Sequence, residues 1–324
     1  MRRTVRFLGI MLAGALLAHV AFSAAVSAWI AGTYRHRLFN VRNVEDATQW
    51  GPLARLFVEG QSLDDPRPKI LLFGSSFTWG YSWPEEDVFS WHLQEAMPEY
   101  QVLNLAVIGQ DMSGLLKLAC DIHGTGIKSI FSVVEVNLFN LRPQNLSLDS
   151  QPCTESSHYH ALGGLINYFH FTISHPWGLE YPRTFWNEYD YQQPERQFSW
   201  TPLPNSYFPD LTLFKERQIH IKSTIERAIE LVSTFSNSIY LFVAPTLQEG
   251  AELSKYPPEN LQTIADMIVS FCASSPITLC LDPGLGLPRN DFGNLTHLNM
   301  AGHRAFGSWL LSHMDRWRVE LSAQ

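Results

Sequence analysis

The chain has 324 residues, of which 45% are hydrophobic and 17% are charged, and this balance excludes an intrinsically disordered polar chain. Its 31 Asp and Glu outnumber 23 Lys and Arg, which gives a formal net charge of −8. Because no long basic run provides the positive face that phosphate contacts need, we expect no nucleic-acid partner. The length is sufficient to bury a core in one large domain or two smaller ones.

An apolar segment near the N-terminus predicts a location outside the cytoplasm. Arginines precede an uncharged run over 7–32, which as a helix is long enough to cross a hydrocarbon core of about 30 Å. We expect residues 1–37 to form a transmembrane anchor, with the rest of the chain periplasmic or extracellular, since basic residues favour the cytoplasmic side. The alternative is a secreted protein with a cleaved signal sequence, because the triplet at 26–28 resembles a cleavage site.

The four cysteines do not have the spacing of a zinc site. An exported location permits disulfides, and Cys272 and Cys280 are close enough in sequence to pair. The alternative is that these two are small, buried apolar residues. Sequence does not choose among the three possible pairings of four cysteines. We expect neither a metal ion nor a cofactor.

Short apolar runs then alternate with amphipathic segments. After a lead-in at 38–66, strands are predicted at 69–73, 101–107, 130–138, 238–244 and 277–281. Helices are predicted at 84–97, 111–122, 215–233, 259–273 and 299–314. This alternation predicts an α/β domain over 67–324, a flavodoxin-like three-layer α/β/α sandwich with a parallel five-stranded sheet.

An aromatic-rich insertion at about 147–209 interrupts this pattern. A segment of such length without clear periodicity is often a functional cap, and its aromatic rings can stack on sugar rings. The alternative, which we favour for most of these rings, is that they pack the insertion onto the domain.

Polar residues follow several of the predicted strands. Ligands bind outside the carboxyl ends of the strands in such sheets, which selects Gly74-Ser75-Ser76, the turn at 108–109 and Asn137. A serine at a strand-to-helix turn is exposed, and it becomes a nucleophile when a general base accepts its proton. His297, between the last strand and the last helix, offers that base.

These residues, in this order, resemble the SGNH/GDSL hydrolase superfamily. Residues 74–78 (GSSFT) are similar to its G-D-S-x-T/S block, and the resemblance implies that Ser76 is the nucleophile. Residues 294–299 (NLTHLN) resemble its D-x-x-H-L-N block, which implies that His297 is the base. The resemblance extends from about Lys69 to Leu311, with the insertion outside it.

The same resemblance implies an oxyanion hole. Residues 104–109 (NLAVIG) are similar to the block whose glycine supplies a backbone amide, here Gly109. Residues 135–137 (EVN) are similar to the block whose asparagine side chain donates to the oxyanion, here Asn137. With the backbone amide of Ser76, these groups would hold the tetrahedral oxyanion.

Four positions depart from the family pattern. Ser75 replaces the aspartate beside the nucleophile, Glu135 replaces a glycine, and Leu138 replaces an aspartate. Asn294 stands three residues before His297, where the family has its catalytic aspartate. An asparagine can fix the tautomer of the histidine but supplies no charge to stabilise an imidazolium.

The group that orients His297 therefore stays open. Asn294 or Asp291 is expected in this role, and Asp282 at the end of the fifth predicted strand is a further substitute. A Ser–His dyad oriented by a backbone carbonyl is another arrangement in this superfamily.

The resemblance implies a membrane-anchored serine esterase acting on ester-linked acyl groups, with O-acetyl groups of a cell-envelope glycan as a candidate substrate. The expected partners are an acylated small molecule or envelope polysaccharide, the membrane, and a membrane-bound acyltransferase. One alternative is an O-acyltransferase that works with such a partner. The other is a catalytically inactive envelope protein that binds glycan or acts as a scaffold.

Overall fold

A computed structural model describes residues 4, 6–15, 17–18, 21, 65–80, 83, 85–107, 109–139, 153, 208–246, 251–252, 254–272, 278–281, 287–293 and 296–322. Almost all of the predicted lead-in at 38–66 and of the aromatic-rich insertion lies outside these residues. Those two predictions are therefore untested.

The N-terminal residues that the structure describes are helical over 6–15. Apolar side chains on this segment are exposed, among them Phe7, Ile10 and Leu12. Within the described part of the chain, no helix combines the length and the apolar character needed to cross a membrane.

The strands form one parallel sheet. They are β1 Lys69–Phe73, β2 Gln101–Asn104, β3 Ser129–Val136, β4 Ser236–Val243 and β5 Thr278–Leu281, in the spatial order β2-β1-β3-β4-β5. Each neighbouring pair is parallel, so the predicted parallel α/β sheet is confirmed. All five residues of β1 are buried, as expected for a strand with both faces covered.

After the N-terminal segment, the described helices are α1 Ser76–Trp79, α2 Phe89–Ala96, α3 Met112–His123, α4 Leu211–Glu216, α5 Gln218–Ser233, α6 Pro258–Cys272 and α7 Met300–Ser322. The helix predicted at 84–97 is instead a 3-10 turn at Glu85–Asp87 followed by α2, because Val88 is extended, with φ −92° and ψ 153°. The helix predicted at 215–233 is broken at Arg217, whose φ of −103° and ψ of 9° depart from helical values.

The helices lie in two layers. α2 packs against α7, whereas α5 packs against both α3 and α6. The chain moves outward from β1 to β2, then crosses back over β1 to reach β3. With right-handed crossovers, this reversal sends the two connections to opposite faces of the sheet. A crevice therefore opens at the carboxyl ends of β1 and β3.

A disulfide joins α3 to the insertion. Cys120 pairs with Cys153, with 5.5 Å between their Cα atoms. Cys280 on β5 is also disulfide-bonded, so its interpretation as a small apolar residue is wrong. The side chain of Cys272 lies outside the described residues.

Two glycines of α7 give a matched test of how closely this helix approaches the preceding loop. A Cβ on Gly302 would overlap the carbonyl oxygen of Asp291 and lie 2.9 Å from its carbonyl carbon, whereas a Cβ on Gly307 would meet no atom closer than 3.5 Å. We expect Gly302→Ala to lower the free energy of unfolding by about 2 kcal/mol or more through overpacking. Gly307→Ala should leave it unchanged or raise it by up to about 1 kcal/mol, because alanine favours helix. Urea unfolding of both variants measures the difference, and equal effects would contradict this packing.

Candidate active site

The turn after β1 presents Ser76 toward solvent. Ser76 is the first residue of α1 and is half-buried, whereas Ser75 and Phe77 on either side are buried. Phe77 packs edge-to-face on Phe306 of α7, with 5.2 Å between ring centroids. Gly80 ends α1 with φ 81°, a left-handed conformation that glycine adopts without a Cβ penalty. The turn is thus anchored on its apolar side and open at its serine.

A short hairpin-like loop carries His297. Phe292 and Leu298 form an antiparallel bridge, and the amide of Gly293 donates to the carbonyl of His297 at 2.9 Å. The side chain of Asn299 then accepts from the amide of Gly302 at 3.0 Å, which caps the N-terminus of α7. These bonds fix the backbone on both sides of the imidazole.

The structure brings Ser76 and His297 together across 221 residues of sequence, with 2.8 Å between the serine Oγ and the imidazole Nε2. On the other side of the ring, Nδ1 lies 3.2 Å from Oγ1 of Thr296. A proton on Nδ1 would be donated to this hydroxyl, which leaves the Nε2 lone pair facing Ser76. Desolvation lowers the pKa of His297 to about 4, so its imidazole is neutral near pH 7.

A buried carboxylate lies beneath the turn that carries Ser76, the expected nucleophile, which we call the nucleophile turn. Glu135 of β3 accepts from the amide of Ser75 at 2.9 Å and from the amide of Thr78 at 3.0 Å through Oε2. Its Oε1 accepts from the hydroxyl of Ser75 at 2.5 Å. Sequence comparison with the family treated Glu135 only as a departure from a glycine. The register that pairs Phe73 with Val134 places it next to this turn.

The proposed oxyanion groups lie around the same turn. Asn137 is buried, and its Nδ2 donates to the hydroxyl of Ser75 at 2.9 Å. The loop after β2 is tied to the turn because the amide of Val107 donates to the carbonyl of Gly74 at 2.9 Å. Gly109 follows in this loop with φ 75° and is exposed. A small cavity beside the turn is lined by Gly74, Ser75, Gln110, Met112, Glu135 and Asn137, among others.

Of the three residues expected to orient His297, the structure describes only Asp291. Asn294 and Asp282 lie outside the described residues. The backbone carbonyl of Asp291 accepts from the amide of Asn299 at 2.9 Å. Burial raises the pKa of the Asp291 carboxyl. Among the residues that the structure describes, no hydrogen bond or ion pair joins this carboxylate to His297.

Two further side chains hold the site and were not identified from sequence. Nε1 of the buried Trp83 donates to the carbonyl of Leu298 at 2.9 Å, which holds the histidine loop. Nδ2 of Asn104 donates to the carbonyl of Thr78 at 2.7 Å, which joins the end of β2 to α1. Asn104 stands in a recognised motif, but neither contact has a signal in the sequence, because both depend on the tertiary packing.

Within the described ranges, no group of three or more His, Cys, Asp or Glu side chains is arranged to hold a metal ion.

No protein-family model matches the sequence, and no curated protein matches it either. Solved structures do match. A member of the lipolytic protein G-D-S-L family from Veillonella parvula is 13% identical, with a TM-score of 0.43, over 75% of this chain and 96% of that one. A GDSL-like lipase from Bacteroides thetaiotaomicron is 9% identical, with a TM-score of 0.42, over 82% of this chain and 98% of that one. These proteins carry the name of the family that the motifs resemble.

The lowered pKa of His297 has a consequence for stability. Below its ordinary pKa of 6.5, the histidine takes up a proton in the unfolded chain but not in the folded chain, until the pH approaches about 4. Wild-type protein should therefore lose stability as the pH falls through this window. His297→Gln, which cannot titrate, should show a smaller fall in Tm between about pH 8 and about pH 5. Thermal unfolding of both proteins in matched buffers measures this, and parallel Tm profiles would contradict the lowered pKa.

Proposed function

We propose that this chain is a serine esterase of the SGNH/GDSL type, in which Ser76 and His297 hydrolyse ester-linked acyl groups. The observation that carries the proposal is the 2.8 Å contact between Ser76 Oγ and His297 Nε2. This distance is within hydrogen-bond reach, as a nucleophile and its general base require. The contact also lies at the carboxyl ends of the strands, where such sheets bind ligands.

In the first half of the reaction, Ser76 Oγ attacks the ester carbonyl carbon while its proton moves to His297 Nε2. The tetrahedral intermediate then collapses, the bond to the leaving alcohol breaks, and His297 returns the proton to that alcohol. The acyl group remains on Ser76. A neutral imidazole is required for the first transfer, and the lowered pKa of His297 supports that state.

In the second half, water attacks the acyl carbon and gives a proton to His297. Collapse then releases the acid and restores the Ser76 hydroxyl with that proton. The backbone amides of Ser76 and Gly109 and the Nδ2 of Asn137 are the proposed donors to the oxyanion in both halves. Asn137 is well supported in this role, because a buried hydrogen bond to Ser75 fixes its amide beside the nucleophile turn.

We propose that the protein acts outside the cytoplasm, anchored to the membrane by its N-terminal segment. The disulfide between Cys120 and Cys153 supports an oxidising compartment. The exposed apolar side chains of the N-terminal helical residues support an anchor. An O-acylated envelope glycan is the substrate class that we propose on the family resemblance.

The nucleophile and base are tested with the full chain purified in a mild detergent. Wild-type protein should hydrolyse an aryl acetate and should be labelled by a fluorophosphonate. Ser76→Ala and His297→Ala should each lower kcat by about a thousandfold or more and abolish labelling. Adding a sugar acceptor and analysing products separates transfer from hydrolysis. A folded wild-type protein that is silent in all of these assays would overturn the proposal.

The pH dependence of the same reaction tests the state of His297. Because the base must be neutral and its pKa is about 4, kcat/KM should stay level on the acid side until the pH nears that value. An acid limb centred near the ordinary histidine pKa of 6.5 would contradict the lowered pKa.

Asp291→Asn tests whether this carboxylate supports His297. Replacing the aspartate of a Ser-His-Asp triad by asparagine lowers kcat by about 10⁴-fold. Since the carboxylate of Asp291 is not hydrogen-bonded to the imidazole in the described structure, we expect kcat to change by less than about threefold, whereas a fall of orders of magnitude would assign it the orienting role.

A further inference from the structure

We propose that Glu135 is a positioning residue that holds the nucleophile turn and, through the hydroxyl of Ser75, aligns the amide of Asn137 toward the oxyanion. This inference rests on the proposed function and adds to it a carboxylate that the reaction scheme does not use. It assigns a shared purpose to two departures from the family motif, Ser75 and Glu135.

Glu135 holds the backbone of the nucleophile turn in place. Oε2 of Glu135 accepts from two backbone amides, those of Ser75 at 2.9 Å and Thr78 at 3.0 Å. These amides lie on either side of Ser76 in the chain. Hydrogen bonds that accept at an ionised group are stronger than neutral ones, and this site is buried, with Glu135 only 3% exposed. The carboxylate therefore fixes the backbone that carries the nucleophile.

A relay of hydrogen bonds runs from Glu135 through Ser75 to Asn137. Oε1 of Glu135 accepts from the hydroxyl of Ser75 at 2.5 Å, so the proton of that hydroxyl points to the carboxylate. The serine oxygen is then free to accept from Nδ2 of Asn137, at 2.9 Å. The side-chain oxygen of Asn137 accepts from the amide of Phe139 at 3.0 Å. One hydrogen of Nδ2 is donated to Ser75. Because the amide group is planar, this bond also fixes the direction of the second Nδ2 hydrogen, which we assign to the oxyanion.

The carboxylate of Glu135 occupies the space beside Gly74. A Cβ on Gly74 would overlap Oε2 of Glu135 and lie 2.7 Å from its Cβ. A glycine at this point is therefore what allows the carboxylate to reach the turn.

The exchange between two positions follows from these contacts. The family motif has a carboxylate at the position of Ser75 and a glycine at the position of Glu135. In this chain the carboxylate comes from the neighbouring strand, and a small hydroxyl stands on the turn. An aspartate at 75 together with Glu135 would bring two carboxylates to within hydrogen-bonding distance, which is unfavourable.

A kinetic double-mutant cycle tests the relay in the full-length protein with an aryl acetate. Glu135→Gln keeps an oxygen for the backbone amides but gives up the acceptor for the Ser75 hydroxyl. Ser75→Ala removes the hydroxyl itself. Each should lower kcat by about 10-fold or more with KM nearly unchanged, since small misplacements of catalytic groups are costly to rate. Because both changes break one relay, the double variant should be about as active as the worse single variant.

Ser132→Ala is the matched control. Ser132 is another buried serine of the sheet, on β3, and its hydroxyl lies 3.1 Å from that of Ser129. The same chemical change there should leave kcat within about twofold of wild type, because no hydrogen bond in the described part of the chain joins its hydroxyl to the turn. Losses in Glu135→Gln and Ser75→Ala that simply multiply, or kcat values that match the control, would overturn the relay.

An exchange variant tests the position of the carboxylate. Ser75→Asp alone should lower kcat by about 100-fold or more, because it adds a second carboxylate beside Glu135. Adding Glu135→Gly to Ser75→Asp removes the second carboxylate. The double variant should therefore have a kcat at least about 10-fold higher than that of Ser75→Asp. A double variant no more active than Ser75→Asp would count against the exchange.

A stability measurement separates this inference from the proposed function. If wild-type protein neither hydrolyses the ester nor reacts with a fluorophosphonate, the proposed function fails. The Tm shifts of Glu135→Gln, Ser75→Ala and their double variant still report on the hydrogen bond between Glu135 and Ser75. A double-variant shift smaller than the sum of the two single shifts supports this bond, whereas additive shifts overturn the inference. An active wild type with unaffected Glu135 and Ser75 variants overturns the inference alone.

Discussion

The reversal of strand order beside β1 is the constraint on which the site depends. Because the connection after β1 leaves on one face and the connection after β2 returns on the other, a crevice opens at the carboxyl ends of β1 and β3. The two strands deliver Ser76 and Asn137 to that opening from neighbouring positions in the sheet. The histidine loop reaches the same opening from the far end of the chain. The bridge between Phe292 and Leu298 and the cap at Asn299 hold it there.

Sequence was informative where periodicity and motif order carry the information. The run at 69–73 is apolar throughout and is a fully buried strand, and the pair Ser76 and His297 follows from short motifs in a fixed order. Sequence failed where one backbone angle decides, as at Arg217, which interrupts a continuous amphipathic pattern. It also could not find the contact between Trp83 and Leu298, because no motif pairs these two residues.

The buried polar groups around the turn satisfy one another's hydrogen bonds. A carboxylate buried without partners would destabilise the fold, but Glu135 has three donors within hydrogen-bonding distance. Such a network specifies one arrangement, since each member satisfies another. Aromatic packing adds to this order, because Phe77, next to Ser76, contacts Phe306 on the helix that follows His297. Polar and apolar contacts thus act together to hold Ser76 and His297 2.8 Å apart.

The disulfide between Cys120 and Cys153 encloses β3 in a covalent ring. The bond closes a loop with a sequence separation of 33 residues, and that loop contains the central strand of the sheet together with Glu135 and Asn137. In the chain-entropy description, a ring of this size lowers the conformational entropy of the unfolded chain, which stabilises the folded protein by about 4 kcal/mol. Oxidation of the two cysteines would therefore favour formation of the strand that supplies both polar side chains. The geometry around Ser76 and the redox state of this cysteine pair are in this way linked through one strand.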